Sequence, residues 1–256
     1  MLRPSVPEPE SKIAVITGAG RGIGQALALG FAANGYCVAA ADLDESAARD
    51  TASQLRAAGS SAIGLQVDVA EPESVIRMID TVVAEWGGLD VMVNNAGVFP
   101  RSLVVDLDLA TWTHTLDVNL RGTFLGCQAA ARVLIRQGHG GRLVNVASVS
   151  AFQPAVRQAH YAASKAGIVA FSRNLALELA PHRITVNVLA PGLVNTAQPR
   201  QDDITEEQLA ARGAAVPFGR MAEAAEMVPT VLFLCSDGAA YITGQTLHVN
   251  GGSWMA

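Results

Sequence analysis

"KIAVITGAGRGIG", residues 12–24, decides the fold. An apolar, β-branched run leads into a glycine-rich turn, and the turn opens an alanine- and leucine-rich stretch, 23–34. Gly18, Gly22 and Gly24 let the backbone bend sharply and come close to a phosphate, while the helix N-terminus offers free N–H groups to its charge. Ile23 stands where the G-x-G-x-x-G pattern has its third glycine, so the turn alone is a weak signal. The remainder of the chain strengthens it.

Six more apolar runs extend the pattern: "YCVAAAD" (36–42), "AIGLQVDV" (62–69), "LDVMVNNA" (89–96), "GRLVNVAS" (141–148), "ITVNVLAP" (184–191) and "TLHVNGG" (246–252). They are apolar nearly throughout instead of alternating, as parallel strands covered on both faces are. Helical stretches lie between them at 23–34, 45–58, 73–86, 111–137 and 161–180. The expected fold is therefore α/β: a doubly wound, mainly parallel, seven-stranded sheet with helices on both faces, Rossmann-like, with ligands beyond the carboxyl ends of the strands. Pro229 must lie in the first turn of its helix or kink it. Residues 1–11 read as a loose leader and 12–256 as one dinucleotide-binding and catalytic domain.

Half of the 256 residues are hydrophobic and 16% are charged, which suits a buried globular core. A net charge of −5 gives no footprint for nucleic acid or an acidic membrane. No apolar run reaches the roughly 18 residues of a membrane span. Residues 1–11 lack the apolar stretch of a signal peptide, and a cytoplasmic protein is expected. Cys37, Cys127 and Cys235 are scattered and odd in number, and the five histidines form no paired-ligand pattern, so neither a disulfide framework nor a metal site is expected.

In the nucleotide half, Asp42 ends the second strand about 20 residues after the glycine turn, where a carboxylate can hold a ribose 2′-hydroxyl. It would repel a 2′-phosphate, so NAD is expected over NADP. Arg21 pulls the other way, as a guanidinium able to pair with that phosphate. Asp68, before Val69 at the end of the third strand, is placed to accept from an adenine amino group or to cap a helix.

In the chemical half, "YAASK" (161–165) sets Tyr161 one helical turn from Lys165, on the same face. Lys12 is the only other lysine, against sixteen arginines. A free tyrosine titrates near pH 10, and a fixed positive charge beside it favours the phenolate. A compact ammonium with three donors can serve both the phenol and a ribose, which a guanidinium fork cannot. Ser148, at the end of the fifth strand, is placed to hold the same substrate oxygen as Tyr161, with Ser150 as the runner-up.

Together these pieces resemble the short-chain dehydrogenase/reductase family, in its short single-domain branch, over roughly residues 11–252. "TGAGRGIG" (17–24) is similar to the family's variant glycine loop. "NNAG" (94–97) matches its nucleotide-bordering segment, which implies cofactor contacts from Asn95, Ala96 and Gly97. "VNL" (118–120) puts Asn119 at the catalytic asparagine, expected to hold a water connecting Lys165 to solvent. Ser148, Tyr161 and Lys165 match the rest of the catalytic set. "PGLVNT" (191–196) is similar to the proline–glycine turn, which implies cofactor contacts from Pro191, Gly192, Val194 and Thr196. The implied reaction interconverts a secondary alcohol and a ketone with NAD, Tyr161 acting as general acid/base.

The segment 195–213, "NTAQPRQDDITEEQLAARG", is where the family places its substrate lid. Its Arg200, Asp202, Asp203, Glu206 and Glu207, with Ser150 and Gln153 near Ser148, suggest a small polar alcohol of polyol or sugar type, unless the charges simply face solvent. The alternatives are an NADPH-dependent 3-ketoacyl thioester reductase, a sugar-nucleotide epimerase or dehydratase, and a redox sensor without turnover. Residues 120–135 and 161–180 are apolar or small nearly all round, which argues for cover by a second subunit, and the family favours a homotetramer.

Overall fold

The computed structural model describes residues 11–200 and 204–255. Of the leader expected over 1–11, all but Ser11 lies outside the described residues, as do Gln201, Asp202 and Asp203. The strands among the described residues are β1 (Ile13–Thr17), β2 (Cys37–Asp42), β3 (Ala62–Gln66), β4 (Val91–Asn94), β5 (Gly141–Val146), β6 (Ile184–Pro191), β7 (Val194–Asn195), β8 (Ala222–Glu223) and β9 (Thr246–Val249). Seven of them form one parallel sheet in the order β3-β2-β1-β4-β5-β6-β9. Every strand expected from the sequence is in it. The ribbon β7–β8 is an addition, pairing Val194 with Ala222 and Asn195 with Glu223. Two residues are too few to carry a strand pattern.

The unbroken apolar character of the strands follows from two cores, one on each face. Ile13 and Val15 of β1 point into a cluster with Met92, Leu143 and Val186, while the alternate residues Ala14 and Ile16 join Val93, Val144 and Leu189 on the other side. The first core is covered by α3 (Pro72–Trp86), α5 (Gly122–Gln137) and α6 (Ala159–Leu179), through Met78, Ile79, Cys127, Leu134 and Leu179. The second is covered by α1 (Gly22–Ala33), α2 (Glu45–Ala57) and α8 (Val228–Cys235), through Leu27, Phe31, Leu55, Val231 and Leu234. Each fully buried side chain of this size contributes about 1.5–3 kcal/mol, so neither face of a strand can be given over to polar residues cheaply. Pro229 falls in the first turn of α8, where a missing N–H costs nothing.

The single helix expected over 111–137 is interrupted. It runs as α4 (Leu109–Leu116), a π-helical turn over Asp117–Arg121, and then α5. The wide turn holds Asn119, fully buried, and such turns gather at functional sites.

A chain of buried polar groups ties the sheet to α5 and α6. Asn94 Nδ2 donates to Asn145 Oδ1 at 2.8 Å, and Asn145 Nδ2 donates to Ser172 Oγ at 2.9 Å. Cys127 closes the set, its Sγ donating to Asn145 Oδ1 at 3.3 Å. Burial pushes that thiol up to about 12, so Cys127 is a packing residue and not a nucleophile.

Candidate active site

Strand order reverses between β1 and β4, and the glycine turn and the 94–97 segment meet there. Asn95 binds them together: its Nδ2 donates to Thr17 O at 2.9 Å and to Gly18 O at 3.2 Å. Thr17 Oγ1 accepts from the N–H groups of Asn95 and Ala96 at 3.0 and 3.1 Å. Gly18 has φ +64°, and a methyl on it would strike the Ala96 backbone at 2.9 Å. A methyl on Gly24 would collide with the Gly18 carbonyl. These glycines are required by backbone meeting backbone. α1 starts with no side-chain cap at Arg21, which leaves its first-turn N–H groups to an anion.

Asp42 reaches back into the same loop. Its Oδ2 accepts from Gly20 N at 2.8 Å, and its Oδ1 accepts from Asp44 N at 3.1 Å. Arg21 lies close enough to Asp44 to help draw that carboxyl below its usual range, after the larger effect of hydrogen bonds from Ser46 and Ala47. Asp68 Oδ1 accepts from Ala70 N at 2.9 Å, so Asp68 closes a turn ahead of α3, whose cap is Glu71. Val69 packs against Gly122 of α5.

A cleft of about 700 Å³ opens at the carboxyl ends of β4, β5 and β6. It brings together twelve residues singled out in the sequence: Ile23, Asn95, Gly97, Ser148, Ser150, Gln153, Tyr161, Lys165, Pro191, Gly192, Val194 and Thr196. Gly18, Arg21, Gly22, Gly24, Asp42, Asp68, Val69 and Ala96 are not part of its wall. Asn119 is a layer behind, its Oδ1 accepting from Val98 N at 2.8 Å and its Nδ2 donating to Val98 O and Ser164 Oγ, both at 3.0 Å. With both polar side-chain atoms spent on protein, Asn119 fixes the segment after Gly97. A side chain at Gly97 would crowd Asn119 Oδ1 at 3.1 Å and Lys165 Nζ at 3.5 Å.

Tyr161 and Lys165 are 5% and 4% exposed. The phenyl ring of Phe99 stands edge-on to Tyr161, centroids 4.5 Å apart. Burial pushes the Tyr161 phenol above its ordinary value, opposed by side-chain hydrogen bonds from Gln198 and Ser148. Burial also presses Lys165 down to about 8. Helical spacing predicts that the ammonium acts on the phenol. Its Nζ stands over the tyrosine ring, 5.7 Å from the ring centre, as that spacing predicts, and donates one of its protons to Val146 O at 2.8 Å. Ser148 Oγ accepts from Ser150 N at 3.1 Å, which leaves its own proton for the cleft. Ser150 Oγ donates to Gln158 Oε1 at 3.0 Å, so the runner-up hydroxyl is already engaged.

The lid helix, α7 (Glu206–Ala214), differs from the polar cover expected. Thr205 and Gln208 cap its start, Leu209 is fully buried, and Glu206 and Glu207 face solvent. Arg200 pairs with Glu206 on the outside, Nε to Oε1 at 2.9 Å. Arg212 lines the cleft, as do the apolar residues Pro199, Ala215, Val216 and Pro217. The described carboxylates of this segment face solvent and give no support to a sugar-type pocket. Asp202 and Asp203 lie outside the described residues.

Residues 18–253 match the family model described as enoyl-(acyl carrier protein) reductase. The chain is a short-chain dehydrogenase/reductase. Among its curated relatives is the 3-oxoacyl-[acyl-carrier-protein] reductase of Escherichia coli K12, 41% identical over 246 residues, 96% of this chain and 98% of that one. A short-chain dehydrogenase/reductase from Mycobacterium marinum superposes with a TM-score of 0.90 at 34% identity, covering 97% of this chain and 98% of the other. A 7α-hydroxysteroid dehydrogenase, solved with NADH and 7-oxo glycochenodeoxycholic acid, also gives 0.90, at 30% identity, covering 95% and 94%. This dehydrogenase/reductase is thus an NAD(P)-dependent oxidoreductase by family.

Three residues at its site escape sequence reasoning: Phe99, Ser164 and Gln198. Phe99 sits in an irregular segment and Gln198 in a three-residue 3-10 turn, neither with a periodicity to read, and they lie 62 and 37 positions from Tyr161 in the chain. Ser164 lies within "YAASK", where a serine on a buried helix face reads as packing.

Proposed function

We propose that this dehydrogenase/reductase transfers hydride between NAD and the 3-carbon of an acyl thioester, interconverting 3-oxoacyl and 3-hydroxyacyl forms. The convergence of Ser148, Tyr161 and Lys165 in one cleft with Ile23, the residue that follows Gly22 of the glycine turn, carries the chemistry. The residues fit a dinucleotide: an uncapped helix start for a pyrophosphate, Asp42 at the end of β2 for a ribose, and a cleft wall of Ile23, Pro191, Gly192 and Thr196. When bound, the nicotinamide supplies or accepts the hydride. Ser148 donates to the substrate oxygen, and Tyr161 Oη gives it a proton in reduction or takes one in oxidation. Lys165, anchored on Val146 O, would hold the ribose with its remaining protons. Asn119 keeps Val98 and Gly97 in place.

The substrate class is supported by the apolar residues of the cleft wall, Phe99, Pro154, Val156, Leu193, Val216 and Pro217, which stand with Gln153, Gln158 and Arg212 there, and by the name of the Escherichia coli relative. NAD is supported by Asp42 together with Asp44, which make the end of β2 hostile to a 2′-phosphate. A homotetramer is supported by the outer faces of α5 and α6, where Phe124, Ile135 and Leu177 are exposed, with Ala163, Ala166 and Ala170 exposed on α6. Light scattering that returned a stable monomer would end that part. The substrate test is turnover with NADH and NADPH on a 3-oxoacyl thioester, a cyclic ketone and a ketose, side by side. The thioester with NADH should be fastest; preference for the ketose would restore the polyol reading at the expense of this one.

A further inference from the structure

Phe99 meets the Tyr161 ring edge-on, centroids 4.5 Å apart, and both residues line the cleft. Phe99 belongs to no helix or strand, so its place depends on what holds its neighbours. On one side Asn119 grips the N–H and the carbonyl of Val98, at 2.8 and 3.0 Å. On the other stands His160, the residue before Tyr161, whose Nε2 lies 2.8 Å from Pro100 O. A carbonyl can only accept, so Nε2 carries a proton and donates it. Asn119 and His160 are both fully buried.

This grip has a cost in stability. The other ring nitrogen of His160, Nδ1, is buried and meets no partner among the described residues, and an unanswered buried polar atom disfavours the fold. Arg157, three residues earlier, has φ +67°, a left-handed conformation that side-chain-bearing residues rarely take. In that conformation its carbonyl accepts from Ser102 N at 3.2 Å. Both unfavourable features lie where α6 and its lead-in hold the loop that carries Phe99.

We propose that His160 is a positioning residue for the reaction: by donating to Pro100 O it pins Phe99 against the Tyr161 ring and so fixes the phenol in the cleft. The role rests on Tyr161 being the proton carrier, as proposed above.

The test reads the ring contact first, without any substrate. An edge-on phenyl ring displaces the NMR signals of the ring it touches. The chain has three tyrosines, so the Tyr161 signals are assigned by their loss in Tyr161→Phe. His160→Met keeps bulk and loses the donor, and it should move those signals as Phe99→Leu moves them. His160→Gln puts an amide N–H near the place of Nε2, and the signals should stay. On a 3-oxoacyl thioester, kcat should fall about tenfold in His160→Met and stay within about twofold in His160→Gln, with NADH affinity unchanged in both. Combining His160→Met with Phe99→Leu should cost no more than Phe99→Leu alone, because the two act through one contact. If His160→Met does not fold, His160→Asn takes its place, since its shorter amide falls short of Pro100 O. Unmoved Tyr161 signals in the donor-less variant overturn the proposal, as do additive losses in the double variant or equal losses in the methionine and glutamine variants. Near-normal turnover by Tyr161→Phe would strike the reaction assigned to the tyrosine and this role with it, while the ring signals would still report the contact.

Discussion

Asp42→Asn should relax the choice between NAD and NADP while leaving the glycine turn in place. The carboxylate accepts from Gly20 N at 2.8 Å and from Asp44 N at 3.1 Å, and the amide oxygen of asparagine can keep the first of these. What it loses is the charge. A phosphate oxygen about 4 Å from a carboxylate is repelled by about 4 kcal/mol at an effective dielectric near 20. Asp42 is half-buried and salt screens it, so about half of that survives, equivalent to a 30-fold preference. The ratio of kcat/KM for NADH to that for NADPH should therefore fall about 30-fold in Asp42→Asn, mainly because NADPH improves. Asp42→Ala should relax the ratio similarly but weaken both cofactors, because Gly20 N and Asp44 N both lose their acceptor. Steady-state kinetics on the three proteins decide it. If the parent uses NADPH as well as NADH, or if asparagine leaves the ratio where it was, Arg21 outweighs Asp42 and the electrostatic reasoning fails.

Gly24→Ala puts a methyl into the Gly18 carbonyl and against Asn95, which should cost about 1–3 kcal/mol and lower dinucleotide affinity by calorimetry; an unchanged melting temperature would refute the close approach. Lys165→Met removes a buried ammonium whose folded value, about 8, lies below the unfolded value near 10.4. Between those values the unfolded chain holds a proton that the folded chain has shed, so the parent gains stability as pH rises through this window. The stability advantage of the methionine variant should accordingly shrink by about 1.4 kcal/mol per pH unit from about pH 8 to 10, and a gap that stays flat in denaturant unfolding would contradict it.

The seven strands and the site's location were legible because they depend on local pattern. Each parallel strand must be apolar on both faces, and Ile13, Ala14, Val15 and Ile16 divide between the two cores as that pattern requires. Ser148, Tyr161 and Lys165 could be found because a strand end and one turn of helix fix their directions. What was not legible depends on contacts between distant segments. The π-helical turn around Asn119 answers to Val98 and Ser164, which no spacing near 119 encodes. Whether the lid charges face the cleft depends on how α7 is rolled, and buried Leu209 fixes that only once the helix is docked. Lys165 was legible only in part: helical spacing put it beside the Tyr161 ring, where the structure has it, but its bond to a β5 carbonyl has no signal near 165.

The central claim is that Tyr161 carries the proton in a nicotinamide-linked reaction. Its most direct measurement is the rate of NADH consumption on a 3-oxoacyl thioester by the parent and by Tyr161→Phe, with NADH affinity measured alongside by fluorescence. The phenylalanine keeps the ring against Phe99 and removes only the hydroxyl. Turnover should fall at least about 100-fold with affinity preserved; near-parental turnover in a variant that still binds NADH would contradict the account.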